Sequence, residues 1–578
     1  MSGFADSALS RSPVDLLLHG NLLNVYSGNI SESHVGIRGG KISYVGKKPI
    51  PNRNSVKLGS GYMVPAYIDG HIHIESSLMI PSQFARTVIP RGTCSVVADP
   101  HEIANVRGVE GVKSMIRDSL RTQLRVYFMI PSCVPATRLE TSGAEIGIED
   151  IKQLKRLGQI LGLGEVMNYQ GVIDRDKEVL GKIDACRGMV IDGHAPGLRG
   201  EGLCAYVSAG INSDHESVTE DEAAEKLSLG MWVMIREGST AKSLAELAKI
   251  VSKGSPERAM LVTDDRHAED LLTEGHIDNC LRRAVEAGVD PVDAVRMTTL
   301  KPAEYFGLKD LGGIAPGKWA DITIVNNLRE FIAEKVFIGG KIVAKDGRYL
   351  GGMKGHLPAD AEMSTVNLKE IQPQDLSIPY NQMQAALEED EVTARVIGIV
   401  EDQIVTEDLR YRMRFRHGQV QSDPERDLLK ICVAERHRGT GRIGKGFVKG
   451  FELIEGAIAS TVAHDSHNAI AVGTNDSDLC RAIDRLREMN GGLVILNEGK
   501  VLGELPLPVA GLMSTLEAAE VAGKVRKLKE TCATLGCKLR NPFMTLSFLA
   551  LPVIPKLKIT DHGLVDVEKF EVVNLFVK

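Results

Sequence analysis

The sequence predicts an α/β fold: a TIM-like (β/α)8 barrel, a small composite β-domain and a C-terminal α+β domain. Between residues 65 and 308, eight apolar strand-like runs alternate with amphipathic helical patterns, the number and spacing expected of such a barrel. Short strands separated by turn glycines flank this region on both sides. After residue 377 the pattern changes to mixed strands and helices, and 578 residues are enough for several cores.

Two β-rich segments, residues 1–64 and 309–356, are expected to form one small domain. Gly39-Gly40 and Gly339-Gly340 each separate two short strands, as in a hairpin turn. The two segments share this pattern of short strands and turn glycines, which predicts that they come together across the intervening barrel. The expected strands are Val14–Leu18, Val35–Arg38, Lys41–Val45, Ala320–Val325, Lys335–Ile338 and Lys341–Ala344.

The middle segment, residues 65–308, carries the predicted barrel. Its strands are expected to end near Ile74, Asp99, Pro131, Glu165, Asp192, Ser213, Arg236 and Thr263. The amphipathic helices expected between them include Gly108–Leu120, Ile148–Leu157, Thr219–Leu227 and Ser243–Ser252. Active sites of such barrels lie at the C-terminal ends of the strands, so chemistry is expected there.

The C-terminal part begins with a polar stretch, residues 357–377, which includes Pro358 and Pro373 and predicts a linker. Residues 378–578 are expected to form the α+β domain. Its strands are expected at Ala394–Val400, Leu429–Ala434 and Leu493–Leu496. Its helices are expected at Gly450–Thr461, Asp476–Met489 and Ser514–Leu535.

Bulk composition favours a soluble cytoplasmic protein that acts on a small molecule. The formal net charge is −7 and the aromatic content is 4%, so no nucleic-acid partner is indicated. The chain shows no signal peptide and no apolar run long enough to cross a bilayer, so no membrane association is expected. Nine scattered cysteines favour reduced thiols over a disulfide framework. Because dimers are the commonest oligomers of soluble proteins, a homo-oligomer, most often a homodimer, is expected.

The segment Ile68–Glu75 carries two histidines, His71 and His73, directly after an apolar strand. Residues i and i+2 of a strand project to the same side, so both imidazoles can reach one metal ion. A lone His-x-His pair is only moderately specific. Four more ligand-type residues end later strands: Glu165, His194, His215 and Asp264. Together the six predict a metal centre at the C-terminal end of the barrel.

Such a set suits two divalent ions. Each histidine pair would hold one ion, Glu165 has two oxygens that can bridge them, and Asp264 would complete the first site. Two ions a few Å apart share a hydroxide whose pKa falls toward neutrality. Asp264 can take its proton and pass it to a leaving group. Because strand faces alternate, only one of Asp264 and Asp265 can point at the metals; we expect Asp264 there and Asp265 turned towards the substrate.

Some of these features also have structural interpretations. A single histidine on an apolar strand more often makes a structural hydrogen bond than binds a metal ion. In the C-terminal domain, the loop His464–Asn468 has a metal-like or catalytic composition. It could cap the barrel mouth, bind an extra ion or stabilise a turn.

Five motifs stand out along the chain: Asp69–Ser77, Val97–Asn105, Leu163–Asn168, Thr263–His267 and Val462–Asn468. They resemble the motifs of the amidohydrolase superfamily, and most closely those of the bacterial adenine deaminases, and the resemblance covers essentially the whole chain. Dihydroorotases and related cyclic amidases usually bridge their metals with a carboxylated lysine on the fourth strand. Glu165 stands there instead, as the resemblance to adenine deaminases requires.

The resemblance implies hydrolytic deamination of adenine to hypoxanthine and ammonia, in purine salvage. It suggests two manganese or iron ions per chain, and zinc also fits such ligands. The bridging hydroxide would attack the ring carbon that carries the amino group, and Asp264 would shuttle its proton. The neighbouring ring nitrogen needs a second acid; His101 and Glu102 are candidates for this role or for purine contact. His215 is counted with the catalytic residues and Asp265 with the substrate-binding ones.

Two other functions stay open. A cyclic amidase or another aminohydrolase on the same barrel would differ in pocket shape, which substrate screening distinguishes. A non-catalytic scaffold predicts missing ligands, whereas this chain keeps all six. For His101 and Glu102, the structural alternative is that they fix their loop by hydrogen bonds.

Overall fold

The computed structural model describes residues 6–9, 11–252, 257–357, 364–380, 391–401, 403–416 and 418–577. Its centre is a barrel of parallel strands, which confirms the fold class predicted from the sequence. The eighth strand is broken at Thr263 into two pieces, of which the second pairs with the first barrel strand. The strands are Tyr67–His73, Thr93–Ala98, Arg125–Ile130, Ile160–Val166, Val190–Gly193, Ser213–Asp214, Trp232–Arg236, Ala259–Val262 and Asp264–Asp265.

Helices follow the barrel strands and cover the outside of the barrel. They are Pro81–Val88, His101–Ser119, Ile148–Leu154, Tyr169–Ile173, Lys177–Ala185, Gly200–Ser208, Glu220–Ser228, Leu244–Ser252, Ala268–Thr273, Ile277–Glu286, Pro291–Met297 and Leu300–Tyr305. The second of these begins at His101, whereas periodicity placed its start at Gly108. Gly108 interrupts the helix with φ 56°, and the turns before it are almost wholly buried, so they show no amphipathic pattern.

One sheet of eight strands is built from both β-rich segments. Ser55–Pro65 from the first segment pairs antiparallel with Ile322–Val325 from the second. Gly39-Gly40 and Gly339-Gly340 turn the chain with positive φ, as expected of hairpin glycines. The strands are Leu16–Leu23, Ile30–Arg38, Lys41–Gly46, Ser55–Pro65, Ile322–Val325, Ala333–Ile338, Lys341–Lys345 and Arg348–Tyr349.

In its described residues, the C-terminal domain combines a ten-stranded sheet, a three-stranded sheet and three helices. The larger sheet holds Ile378–Pro379, Gln419–Val420, Thr406–Arg416, Glu391–Ile399, Ile443–Lys449, Leu429–Ala434, Ala469–Gly473, Ala457–Ser460, Gly492–Asn497 and Lys500–Pro506, in spatial order. The smaller holds Leu557–Thr560, Gly563–Asp566 and Glu571–Val573. The helices are Asp476–Glu488, Ala518–Thr534 and Pro542–Phe548.

The helix predicted at Gly450–Thr461 is wrong. The segment is irregular up to Gly456, which adopts φ 73°, and then forms the strand Ala457–Ser460 between two antiparallel neighbours. All four strand residues are buried. A short apolar run buried on both faces has no period that separates strand from helix.

The stretch predicted as a linker packs on the C-terminal domain in its described part. Val366, Leu368, Ile371 and Leu376 are buried in one apolar cluster together with residues of the helix Asp476–Glu488. Polar residues between these four give the sequence its linker-like composition. This packing brings the chain from the composite β-domain to the start of the large sheet.

Polar contacts seat the C-terminal domain on the barrel, at the end where the strands terminate. Asp561 accepts hydrogen bonds from the main-chain N–H of Thr141 at 2.9 Å and from its hydroxyl at 2.6 Å. Asn468 donates to the Thr141 carbonyl at 2.8 Å. The His464–Asn468 loop is thereby held over the barrel mouth. In the part of the chain that the structure describes, no helix is both long and apolar enough to span a membrane.

Candidate metal centre and active site

Glu165, near the end of the fourth barrel strand, lies between two pairs of histidines. Its Oε1 is 2.9 Å from Nε2 of His73 and 3.6 Å from Nε2 of His71. Its Oε2 is 2.9 Å from Nδ1 of His194 and 3.3 Å from Nε2 of His215. A carboxylate that turns one oxygen to each pair has the arrangement required to bridge two metal ions.

Asp264 is the sixth group of the centre. The break in the eighth strand gives it φ 59°, a conformation in which aspartate and asparagine are enriched. Its Oδ1 lies 3.2 Å from Nε2 of His73 and 3.7 Å from Nε2 of His71. Its Oδ2 accepts a 2.8 Å hydrogen bond from Arg236, which also donates to both oxygens of Glu216. Arg236 thus orients the carboxylate of Asp264 from the side opposite the histidines.

Hydrogen bonding in the centre fits metal ligands. His73 Nδ1 donates to the main-chain oxygen of Asp99 at 2.9 Å, so in the neutral ring the lone pair is on Nε2, the atom that faces Glu165. Metal-binding histidines are usually oriented by such a bond. Within the described residues, the buried atoms His71 Nε2 and Glu165 Oε1 have no hydrogen-bond partner. Unpaired buried polar atoms are costly, and coordination to cations would satisfy both.

Two further predicted residues flank the centre. His101 has Nδ1 3.5 Å from Glu165 Oε1 and Nε2 3.3 Å from Glu102 Oε1. The hydroxyl of Ser76 donates to Asp265, which lines the same cavity as five of the six ligand-type residues, all except His71. Burial raises the pKa of Asp265, and the charge of Asp264 adds to the rise.

Glu102 sits in a second cluster of histidines. His464 Nδ1 lies 2.7 Å from Glu102 Oε1, and His467 Nε2 donates to Glu102 Oε2. Burial alone would raise the pKa of Glu102, but His464, His467 and His101 outweigh it and hold the pKa well below its usual range. Glu102 is therefore a carboxylate whose two oxygens are both engaged by the C-terminal domain.

Both domains line the cavity above the centre, which has a volume of about 70 Å³. The C-terminal domain contributes Ile404, His464, Asp465, Phe548, Leu551, Val553 and Ile554. The cavity adjoins a cleft of about 840 Å³ that shares several lining residues with it, among them Met167 and Phe548. A small molecule can therefore approach the centre from this cleft. On one side it would meet the charged residues at the ends of the barrel strands, here called the floor of the site. On the other side it would meet the largely apolar residues of the C-terminal domain, here called its ceiling.

The structure brings all six predicted ligands together, with His101, Glu102 and Asp265 on the same cavity. Three residues of the site are not predicted from the sequence: Arg236, which orients Asp264, Glu216, which accepts hydrogen bonds from Arg236, and Phe548 of the C-terminal domain. Arg236 carried a signal, because it is the charged last residue of the buried strand Trp232–Arg236. Phe548 carried none, because nothing local in the sequence marks which apolar residue of the third domain faces the barrel.

The fold, the centre and a family match define the class. Residues 62–343 match the amidohydrolase family, so this chain has an amidohydrolase domain, which implies binding of divalent metal. Residues 403–571 match the adenine deaminase C-terminal domain. The chain belongs to the adenine deaminase family, because it also aligns over nearly its whole length with relatives of that name.

Three of those relatives come from three different organisms. The adenine deaminase of Desulfatibacillum aliphaticivorans is 46% identical over 98% of this chain and 97% of its own. That of Methanothermobacter thermautotrophicus is 46% identical over 97% and 99%, and adenine deaminase 2 of Carboxydothermus hydrogenoformans is 44% identical over 98% of each. Among solved structures, an N-acetyl-D-glucosamine-6-phosphate deacetylase from Mycobacterium smegmatis aligns over 57% of this chain and 99% of its own with 17% identity and a TM-score of 0.44. That likeness is too distant to add to the assignment.

Proposed function

We propose that this chain is an adenine deaminase, which hydrolyses adenine to hypoxanthine and ammonia at the centre around Glu165. One observation carries the proposal: a buried carboxylate faces a histidine pair with each oxygen, in a chain that belongs to the adenine deaminase family. Glutamate at this position also separates the chain from cyclic amidases, which usually place a carboxylated lysine there.

The metal site is assigned to the predicted residues. His71, His73 and Asp264 would hold one divalent ion, and His194 and His215 the other. Glu165 would bridge the two ions. Bound there, the pair supplies hydroxide at neutral pH by lowering the pKa of water. Nitrogen and carboxylate donors suit manganese and iron, which we propose, and zinc is compatible with the same set.

Asp264 is proposed to move the proton. Its carboxylate lies at the ring of His73 and is held there by Arg236. It takes the proton of the attacking hydroxide and delivers it to the departing amino group. The carbon–nitrogen bond breaks and ammonia leaves.

Roles for the flanking residues follow from their contacts. Asp265 lines the cavity and is proposed to accept a hydrogen bond from the purine. His101 lies between Glu165 and Glu102. It is proposed to fix the position of the Glu165 cluster relative to the Glu102 cluster, beside the substrate. Glu102 supports the substrate side through its histidine partners.

Purine salvage in the cytoplasm is the proposed setting, and a homodimer the proposed assembly. All nine cysteines are free and eight of them are buried, which agrees with a reducing compartment. Sedimentation of the metal-loaded protein would report the assembly directly.

Ammonia release tests the function. The protein reconstituted with manganese should release ammonia rapidly from adenine and slowly or not at all from adenosine, cytosine and dihydroorotate. Turnover of dihydroorotate or another cyclic amide in place of adenine would replace this proposal with the cyclic amidase alternative. The barrel and metal centre would stand in either case.

A further inference from the structure

His464 presents a free ring nitrogen to the active-site cavity from the C-terminal domain. Its side chain is 5% exposed, and its Nδ1 lies 2.7 Å from Glu102 Oε1. Its Nε2 is buried and has no hydrogen-bond partner within the described residues. The ring lines the cavity that contains Glu165 and Asp264 and stacks at 4.8 Å on Phe548, which lines the cavity too. An unpaired buried donor at this place points to a ligand atom.

Glu102 and His467 fix which nitrogen of His464 is free. The main-chain N–H of Ala463 donates to His467 Nδ1 at 3.1 Å, so the proton of neutral His467 is on Nε2 and is donated to Glu102. Glu102 therefore acts only as an acceptor, and His464 Nδ1 must donate to it. Nε2 is left as the atom that can donate to a bound molecule.

The charge of His464 is set by the acids around it. Burial alone would lower its pKa, but Glu102, with help from Asp265 and Asp465, outweighs burial and raises the pKa to about 9. The ring is thus largely an imidazolium at neutral pH, with a proton on Nε2. A general acid held by a buried carboxylate is a recurrent arrangement in enzymes.

His101, the other histidine considered for this role, also has a buried ring nitrogen without a hydrogen-bond partner in the described residues, but that atom, Nδ1, faces Glu165 of the candidate metal centre. Its Nε2 lies beside Glu102 Oε1 at 3.3 Å, and its Nδ1 lies beside Glu165 Oε1 at 3.5 Å. Both nitrogens face carboxylates of the protein.

We propose that His464 is the acid that protonates the purine ring nitrogen next to the attacked carbon, and that Glu102 positions it. This inference rests on the proposed function and deepens it. It makes the C-terminal domain part of the catalytic site, because that domain supplies a group that contacts the substrate.

The proton balance closes. Hydroxide forms a bond to the carbon, the ring carbon–nitrogen π bond opens, and the ring nitrogen takes the Nε2 proton of His464. Asp264 carries the hydroxide proton to the amino group, which leaves as ammonia, and hypoxanthine keeps the proton on its ring nitrogen. The water that replaces the hydroxide loses a proton, which returns His464 to the imidazolium.

Two inhibitors that lack the amino group isolate this contact. Purine carries the ring nitrogen, and 1-deazapurine has a CH in its place. A hydrogen bond from a charged donor predicts that manganese-loaded wild-type protein binds purine about 10- to 100-fold more tightly than 1-deazapurine. The two inhibition constants are measured against adenine.

Two substitutions at one position separate hydrogen bonding from acid catalysis. His464→Asn keeps an amide near Nδ1 for Glu102 and removes the Nε2 donor, so the purine preference should fall to within about twofold and kcat by about 10²- to 10⁴-fold. His464→Gln places an amide N–H near Nε2, so part of the purine preference should return while kcat stays low.

His437→Gln is the matched control. His437 supports the same loop by donating from Nε2 to the Ser466 carbonyl at 2.6 Å, but it does not line the cavity. Its variant should keep the purine preference. An unchanged preference in His464→Asn, or an equal loss in His437→Gln, would overturn the inference. Failure of the wild-type protein to deaminate adenine would instead overturn the proposed function, so the two failures are distinguishable.

Discussion

Two buried glutamates, Glu165 and Glu102, each lie among histidines, yet they have opposite chemistry. Around Glu165, His73 uses Nδ1 as a donor to a main-chain oxygen, so its Nε2 lone pair faces the carboxylate. Around Glu102, His467 accepts at Nδ1 from a main-chain N–H, so its Nε2 carries a proton to the carboxylate. The first arrangement turns a lone pair and a carboxylate oxygen toward each other, as two ligands of one cation would be, and the second is already hydrogen-bonded.

The difference shows that composition does not identify a metal site. Both clusters hold ligand atoms close enough for one ion. The partner of the remote ring nitrogen decides whether the near nitrogen is a ligand or a donor. We therefore propose that the Glu165 cluster binds the metal and that the Glu102 cluster is held together by hydrogen bonds.

The largest expected effect comes from Glu165→Gln. The amide has one oxygen and cannot bridge two cations as a carboxylate does. Metal content should fall from about two ions per chain and turnover should drop by orders of magnitude. Elemental analysis of gel-filtered protein and ammonia release measure both.

Glu102→Gln is the matched control for that experiment. The variant should bind two metal ions per chain, as many as the wild type, and only its kcat should fall. If the wild type bound three ions and Glu102→Gln lost one of them, the Glu102 cluster would also be a metal site. The proposed difference between the two clusters would then be wrong.

Asp264→Asn should give the next largest effect. Asparagine tolerates the positive φ at this position, so the fold is kept, and most of the metal should remain. Proton transfer is lost, which lowers kcat by about 10²- to 10⁴-fold. Asp265→Asn should mainly raise KM. If Asp265→Asn abolished turnover and Asp264→Asn stayed active, the roles of the pair would be reversed.

The sequence predicted the floor of the site far better than its ceiling. His71 and His73 lie on one strand at a spacing that puts both on one face, and Glu165 and Asp264 each end a strand, so the geometry of the barrel brings them together. His464 lies far away in the chain, and its distance from Glu102 depends on how two domains dock. No periodicity within either domain encodes that contact.

The same limit explains the errors in the fold. Ala457–Ser460 is buried on both faces, so the local pattern could not separate strand from helix. For the helix that begins at His101, the amphipathic pattern starts only at Gly108, because the turns before Gly108 are almost wholly buried. In both places the missing information was the identity of the covering layer.

The smallest effect is expected from weakening the contact between the C-terminal domain and the barrel. Asp561 accepts two hydrogen bonds from Thr141 of the barrel loop, and neither residue belongs to the Glu165 cluster or the Glu102 cluster. Asp561→Asn removes the charge and weakens this contact by about 1–3 kcal/mol. The Glu165 cluster lies wholly within the barrel, so metal content should not change. The Glu102 cluster spans both domains, so KM for adenine should rise several-fold and the preference for purine over 1-deazapurine should shrink. Loss of metal without a change in that preference would show that the C-terminal domain supports the floor of the site and not its ceiling.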